Sequence, residues 1–334
     1  MIGASKFTQI KQQHFQAILR IHMMIVRSIM KKWYYVNKKY LYADLYSGCG
    51  GYFFEGKWIV GSPVIATNSA GKIGIDMDCH LNDEDAKNIS CLKEYVFDPI
   101  SPKFSVSKSS VCLSNMQDVA RKNQYGLIYL DPNGHPEFDG VKAFFSAKNN
   151  SKVDVLINCN ATVGKRLTSS TAHAMYTNRL VDNMLSIDKK YWLIKEPYKG
   201  DSWQFTFVLG TNWSAFPEFK DIGMYSVTST RGLELLKLFS YSEKERKRLC
   251  HEGWYRNYDE YLAHPIYKII KREVLADNKF KCSQCDTTDG TYCHHTEYPD
   301  WGTFDVFDGK VKNVKKTLLP VCQSCHAEIE QKEI

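Results

Sequence analysis

Apolar positions recur every three or four residues from Phe7 to about Tyr35, with Ile10, Phe15, Ile18, Leu19, His22, Ile25, Val26, Ile29, Met30 and Trp33 on one face and lysines and arginines on the other. That spacing predicts a long amphipathic helix. Arg20 and Arg27 break its apolar run, so it does not span a bilayer, and packing against the domain that follows is its expected use. Beyond it the period shortens. Runs near 40–46, 72–76, 110–114, 126–131, 153–159, 191–196 and 203–209 read as strands, and 83–96, 117–124, 136–147, 164–186 and 229–249 as helices. Such alternation predicts an α/β, Rossmann-like open sheet with helices on both faces. The last two strands, separated by Lys199-Gly200-Asp201-Ser202, form a hairpin, so the sheet ends antiparallel, which favours a methyltransferase over a dinucleotide-binding ending.

The first strand ends in Asp44 and runs into a loop with Ser47, Gly48, Gly50 and Gly51, where missing β-carbons let a ligand approach the main chain. The second is expected to end in Asp76 and Asp78, in position to accept both hydroxyls of a ribose. Asn115, Gln117 and Asp118 follow the third, where an adenine edge could be read, and Asp131-Pro132-Asn133-Gly134 follows the fourth. The stretch DLYSGCGG resembles the first motif of S-adenosylmethionine (SAM) methyltransferases. Together with GSPVIAT (Gly61 to Thr67) and YLDPNG, it makes the first 240 residues resemble the three-Cys-motif partner proteins, a methyltransferase-like bacterial family. The resemblance implies a SAM site drawing on Asp44, Ser47, Gly48, Gly50, Asp76, Asp78, Asp118 and Asp131. DLYSGCGG also looks like the first motif of DNA cytosine-C5 methyltransferases, yet their Pro-Cys nucleophile is replaced here by Asp-Pro-Asn-Gly. The aromatic of amino-methyltransferases is likewise replaced, by Gly134. Methyl transfer, SAM binding or sensing, and a scaffold role all stay open for this domain.

The last eighty residues change the picture. Cys282-x-x-Cys285 and Cys322-x-x-Cys325 are two knuckles with the spacing of a tetrahedral zinc site. His294 and His295 lie between them and His326 follows the last cysteine. Adjacent residues of a strand face opposite ways, so one of the histidine pair can face a metal while the other faces elsewhere. The approach YDEYLAHPIYKIIKREVLADNKFKCSQC, the strand CHHTEY and the turn LLPVCQSCHAEI resemble the four-cysteine HNH (ββα-metal) endonucleases over roughly Tyr255 to Glu330. By that resemblance His295 is the general base, His294 and His326 hold a catalytic Mg²⁺ or Mn²⁺, and Cys282, Cys285, Cys322 and Cys325 hold structural zinc. The sequence departs from the family at Glu330, where many members have a further histidine. The bland alternative is a zinc finger that only binds.

Composition adds bounds. Hydrophobic residues are 43% and charged residues 24% of the 334, an ordinary globular balance that suggests neither disorder nor a membrane class. Eleven cysteines without a signal peptide point to the cytoplasm, with thiols free or on zinc. The net charge of +7 is uneven: residues 1 to 43 hold eight Lys or Arg and no acid, which suits a polyanion. The expected organisation is a methyltransferase-like domain over 1–240, a hinge over 241–254 and an HNH domain over 255–334. The leading expectation is a metal-dependent endonuclease acting on nucleic acid, DNA before RNA, in defence against foreign DNA. A protein partner is conceivable; a membrane is not expected. The alternatives are a SAM-dependent nucleic-acid methyltransferase whose zinc domain grips substrate, and a non-catalytic SAM- or nucleotide-binding partner protein.

Overall fold

The computed structural model describes residues 6–95, 102–116, 123–132, 138–160, 183–184, 186–199, 204–213, 217–232, 235, 262, 265–297 and 315–333. Helix α1 (Lys6–Lys32) leads into β1 (Lys39–Asp44), and a small hairpin of β2 (Gly51–Phe54) and β3 (Lys57–Val60) precedes α2 (Ser62–Ile73). Then come β4 (Asp76–Asp83), α3 (Ala86–Tyr95), β5 (Lys103–Val106), α4 (Ser109–Asn115), β6 (Gly126–Leu130), α5 (Phe138–Ser146) and β7 (Val153–Asn160). The sheet is completed by β8 (Tyr191–Lys195), β9 (Tyr198–Lys199), β10 (Gln204–Thr211) and, after the short α6 (Pro217–Lys220), β11 (Met224–Ser226). The C-terminal part consists of α7 (Pro265–Asp277), β12 (Tyr292–His295), β13 (Leu318–Val321) and α8 (Gln323–Glu333).

The strands lie in the order β5-β4-β1-β6-β7-β10-β8-β11, with β9 paired to β10. Neighbours from β5 to β7 are parallel. β10 inserts antiparallel between β7 and β8. This is a Rossmann-like sheet of the methyltransferase type, with the antiparallel ending that the pattern implies. Because side chains alternate along a strand, Tyr40 and Tyr42 join the core under α1 and α2, while Leu41 and Ala43 join the opposite core under α4 and α5.

The apolar stripe of α1 is buried through Phe15, Ile18, Leu19, Met23, Val26 and Met30. His22, read as part of that stripe, is buried because its polar atoms are satisfied. Its Nε2 lies 3.0 Å from Asp154 Oδ2, its Nδ1 lies 2.8 Å from the Tyr40 hydroxyl, and its ring stacks on Trp213 at 5.0 Å. No helix among the described residues is long and apolar enough to cross a membrane.

Two strands are misplaced by the periodicity. Residues 72–75 are the end of α2 and its cap, and only Asp76 belongs to a strand, as the first residue of β4: Gly74, at φ 70°, donates to the carbonyls of Ala70 and Gly71, so its role is to stop a helix, not to sit within a strand. Residues 110–114 lie in α4, with Cys112 and Leu113 buried. The strand there is the four-residue β5, an edge strand whose side chains are only partly buried. The helices expected at 117–124, 164–186 and 229–249, and the hinge at 241–254, fall wholly or mostly outside the described residues.

The C-terminal elements pack on the sheet. Tyr267, Ile269, Ile270, Val274 and Leu275 of α7 share the core of α4 and α5, together with Cys293 and Leu318. Arg272 donates to the carbonyls of Ile187 and Lys189 at 3.2 and 3.3 Å, and the Tyr191 hydroxyl donates to Asp277 at 2.9 Å. Thr228 donates to Glu273.

Candidate functional site

The carboxyl ends of the parallel strands gather most of the predicted cofactor residues. Gly48 and Gly50 have φ of 59° and 83°, a conformation that glycine adopts without the penalty of a β-carbon. A β-carbon on Gly61 would come within 2.9 Å of the Gly50 carbonyl carbon, whereas one on Gly48 would meet nothing within 4 Å, so the main chain at Gly48 borders open space. Ser47 ties this loop to β4: its N–H donates to the Asn82 carbonyl at 2.9 Å, and its hydroxyl accepts from the Asn82 N–H at 3.1 Å.

Asp44 is fully buried and turned inward. It accepts from the Ser62 hydroxyl at 2.6 Å, the Tyr42 hydroxyl at 3.0 Å and the Tyr46 N–H at 3.2 Å. Burial pushes its carboxyl up to about 7 against the pull of those donors. Its place is to pin the start of α2 through Ser62, and it has no exposed surface to offer a ligand.

Asp76 and Asp78 do not close β4; they open it. Asp76 pairs in register with Lys39 and Asp78 with Leu41, at the amino edge of the sheet. Asp78 is held by Gln124 at 2.9 Å and Lys39 at 3.5 Å. The carboxylate at the tip of β4 is Asp83. It accepts from the Gly48 N–H at 2.9 Å through one oxygen, and from the Asp85 N–H and Asn88 side chain at 2.9 and 3.1 Å through the other. Asn82 beside it bonds the Leu45 and Ser107 carbonyls and the Ser105 and Ser107 hydroxyls. Both follow from ending the strand seven residues later than the sequence pattern does. The signal was the polar tip His80-Leu81-Asn82-Asp83. Asp118 lies outside the described residues.

Asp131, at the tip of β6, already holds an amine from its own chain. Lys11 Nζ of α1 lies 2.6 Å from Oδ2, and Asn158 donates to Oδ1 at 2.7 Å. The cofactor side of this edge therefore fits a SAM-like nucleoside: a loop open to close approach, with a carboxylate beside it. At Asp131 the same edge is occupied by Lys11.

The second cluster is the zinc-type site. The Sγ atoms of Cys282, Cys285, Cys322 and Cys325 converge within 4.8 Å of one another, as four thiolates around one ion at about 2.3 Å require. The Cys322 thiol is lowered to about 6 by the Ser324 hydroxyl and the Cys325 N–H, which favours the thiolate that a metal needs. Among the described residues this is the one group of three or more such ligands that closes around a point.

Beside it, β12, β13 and α8 form a ββα unit. His294 on β12 and His326 on α8 have ring centroids 5.7 Å apart, a separation that one ion bonded to both nitrogens at about 2.1 Å can span. Glu330 Oε1 lies 3.4 Å from His326 Nδ1. A carboxylate so placed orients the ring and leaves Nε2 for a ligand. His295 faces elsewhere: it is buried, stacked on Tyr267 of α7 at 5.7 Å. Burial, with the nearby rings of His294 and His326, pushes it down to about 4. The strand thus separates the two neighbouring histidines, one toward His326 and one under α7.

No family model matches the chain, and no curated protein matches it. Solved structures with similar folds include a DUF519 protein from Legionella pneumophila (14% identity, 68% of this chain and 92% of that one, TM-score 0.44). Another is a probable spermidine synthase from Corynebacterium glutamicum (13%, 62% and 69%, TM-score 0.41). A third is an rRNA methylase from Streptococcus thermophilus (9%, 64% and 99%, TM-score 0.33). At such values the fold rests on its own strand order, and no activity passes from these proteins to this chain.

Proposed function

We propose that the chain acts on nucleic acid as a SAM-dependent methyltransferase-type protein whose zinc-held C-terminal unit grips the substrate. The observation that carries the reading is the carboxyl edge: Gly48, bordering open space, is fastened at 2.9 Å to Asp83 at the tip of β4, where ligands of open α/β sheets bind. Bound SAM would supply an activated methyl group. The protein's part is to pass the ribose to Asp83, let the rest approach the main chain at Gly48 and Gly50, and hold an acceptor amine at Asp131. Lys11 must leave Asp131 before an outside amine can take its place. Calorimetric titration tests the first step: SAM binding that weakens at least tenfold in Asp83→Ala supports the reading. Equal heats in both proteins, or none in either, count against it.

A second reading, phosphodiester hydrolysis of the HNH type, is favoured by the ββα unit and the approach of His294 to His326. A divalent ion there would stabilise the leaving oxygen. Within this unit His294 and His326 would hold it, Glu330 would orient His326, and a deprotonating group would be needed at the attacking water. His295 can serve only if it turns out from under Tyr267. Incubating plasmid with Mg²⁺ or Mn²⁺ separates the readings: cleavage lost in His294→Ala supports hydrolysis, and radiolabel passed from SAM to nucleic acid with His294 dispensable supports methyl transfer.

A further inference from the structure

We infer that the amino edge of the sheet, opposite the cofactor edge, is a track for single-stranded nucleic acid leading to the zinc hairpin; the inference rests on the reading that the chain acts on nucleic acid. Where α1 ends, three consecutive aromatics stand outside the core: Trp33, Tyr34 and Tyr35 are 43%, 92% and 51% exposed. They touch one another instead, Trp33 with Tyr35 at 5.7 Å and Tyr34 with Tyr35 at right angles at 5.8 Å. Lys32 Nζ lies 5.3 Å from the Trp33 ring, and Lys152 Nζ lies 5.9 Å from Tyr35 and 5.4 Å from Tyr125. Single-strand binders combine such parts, ring faces on which bases stack and cations along the backbone.

The patch is continuous with the rest of the edge. Next to Lys152, the Ser151 carbonyl accepts from Asn212 at 2.7 Å, and Asn212 Oδ1 accepts from the Lys190 N–H at 3.0 Å. Lys190 Nζ then lies 5.8 Å from the Phe280 ring, which is 37% exposed and sits two residues before Cys282. Beyond the knuckle, exposed Tyr292 lies 5.5 Å from His326, with Lys271 Nζ 5.5 Å from the Tyr292 ring. From β1 to β8 the edge crosses four strand spacings, about 19 Å at about 4.8 Å each, or about five phosphates of a stacked strand at about 3.4 Å. Against its lysines stand exposed Asp76 and Asp188, while Asp78 is bound to Gln124 and Lys39. A duplex buries its base faces in its own stack, so free ring faces select for unpaired bases. The same residue types suit an anionic bilayer, but a narrow strip running to a metal knuckle matches a polymer better than a plane.

The test uses full-length, zinc-loaded protein and fluorescence anisotropy with a labelled 20-mer of oligo-dT, one of oligo-U, and a 20-base-pair duplex. Either single strand, the two arms telling DNA from RNA, should bind more tightly than the duplex. Tyr34→Ala, at a position too exposed to disturb folding, should weaken single-strand binding about 5- to 150-fold, the equivalent of about 1–3 kcal/mol for one stacked base. Lys32→Gln with Lys190→Gln should reduce the salt slope by about 1.4, at about 0.7 per phosphate contact. Wild-type binding that both variants leave unchanged, or a duplex bound as tightly as either single strand, overturns the track and leaves the nucleic-acid reading standing. Binding to phosphatidylserine vesicles but to no oligonucleotide overturns both.

Discussion

Asp44 and His80 lie on the neighbouring strands β1 and β4, both buried, and they answer pH in opposite senses. Burial raises Asp44 to about 7, so between the unfolded value near 4 and that point the folded chain holds a proton that the unfolded chain has lost. Its contribution to stability is complete below about pH 4 and is lost as pH rises through about 7. His80 is pushed down to about 4, by burial first and by Lys103 next. Its contribution is complete above about pH 6.5 and is lost as pH falls through about 4. The two slopes oppose each other across this window. Urea titrations at pH 5 and pH 8 should therefore find Asp44→Asn more stable relative to wild type at pH 8 than at pH 5, and His80→Gln more stable relative to wild type at pH 5 than at pH 8. Parallel pH profiles for wild type and variants would remove both assignments. At Lys11 and Asp131 the interaction is one charge pair with exposures of 21% and 11%. Lys11→Met leaves a partly buried carboxylate with only Asn158 as a donor among the described residues, at a cost of about 1–3 kcal/mol. Adding Asp131→Asn should return part of that cost, a coupling that a double-mutant cycle measures.

The zinc hairpin has little apolar support of its own. Its local core is Cys282, Val321 and Cys322, with Cys325 and Ile329 packed beside them, so most of its order must come from the ion. A chelator should therefore abolish hydrogen-exchange protection in Tyr292–His295 and Leu318–Val321 while β6 and β7 keep theirs, and Cys322→Ser should do so without chelator. Protection that survives chelation would refute the assignment of a structural metal. These elements were legible because cysteine spacing is a local signal and because β13 ends and α8 begins at the second knuckle. The open α/β sheet and its antiparallel ending were legible from the alternation of apolar runs and the turn that follows β8. What escaped were two boundaries. Gly74 was read as part of a strand when its left-handed backbone ends a helix. The short edge strand β5 has too little burial to leave an apolar run. The first error carried a further consequence, placing Asp76 and Asp78 at the carboxyl tip of the strand, a position that Asp83 occupies. Nor could spacing reveal that Lys11 would reach Asp131 across 120 residues, or that His295 would lie under Tyr267.

At the scale of the whole molecule, the C-terminal unit is fastened to the sheet by polar contacts as well as apolar ones. Lys315 bridges Glu273 at 2.8 Å and Asp277 at 2.9 Å, and Arg272 caps carbonyls that lead into β8. Arg272→Ala should leave the sheet intact but let α7 and the zinc hairpin melt earlier, splitting one calorimetric transition into two. A single transition shifted as a whole would mean that the unit is held by its apolar face alone.

The docking of α1 bears on how the chain is made. Its buried and charged partners, Asp154 and Asp131, lie 132 and 120 residues downstream of His22 and Lys11. At roughly 5–20 residues per second of synthesis, His22 and Lys11 wait on the order of ten seconds for these partners. A nascent chain of this kind invites a chaperone as soon as α1 emerges.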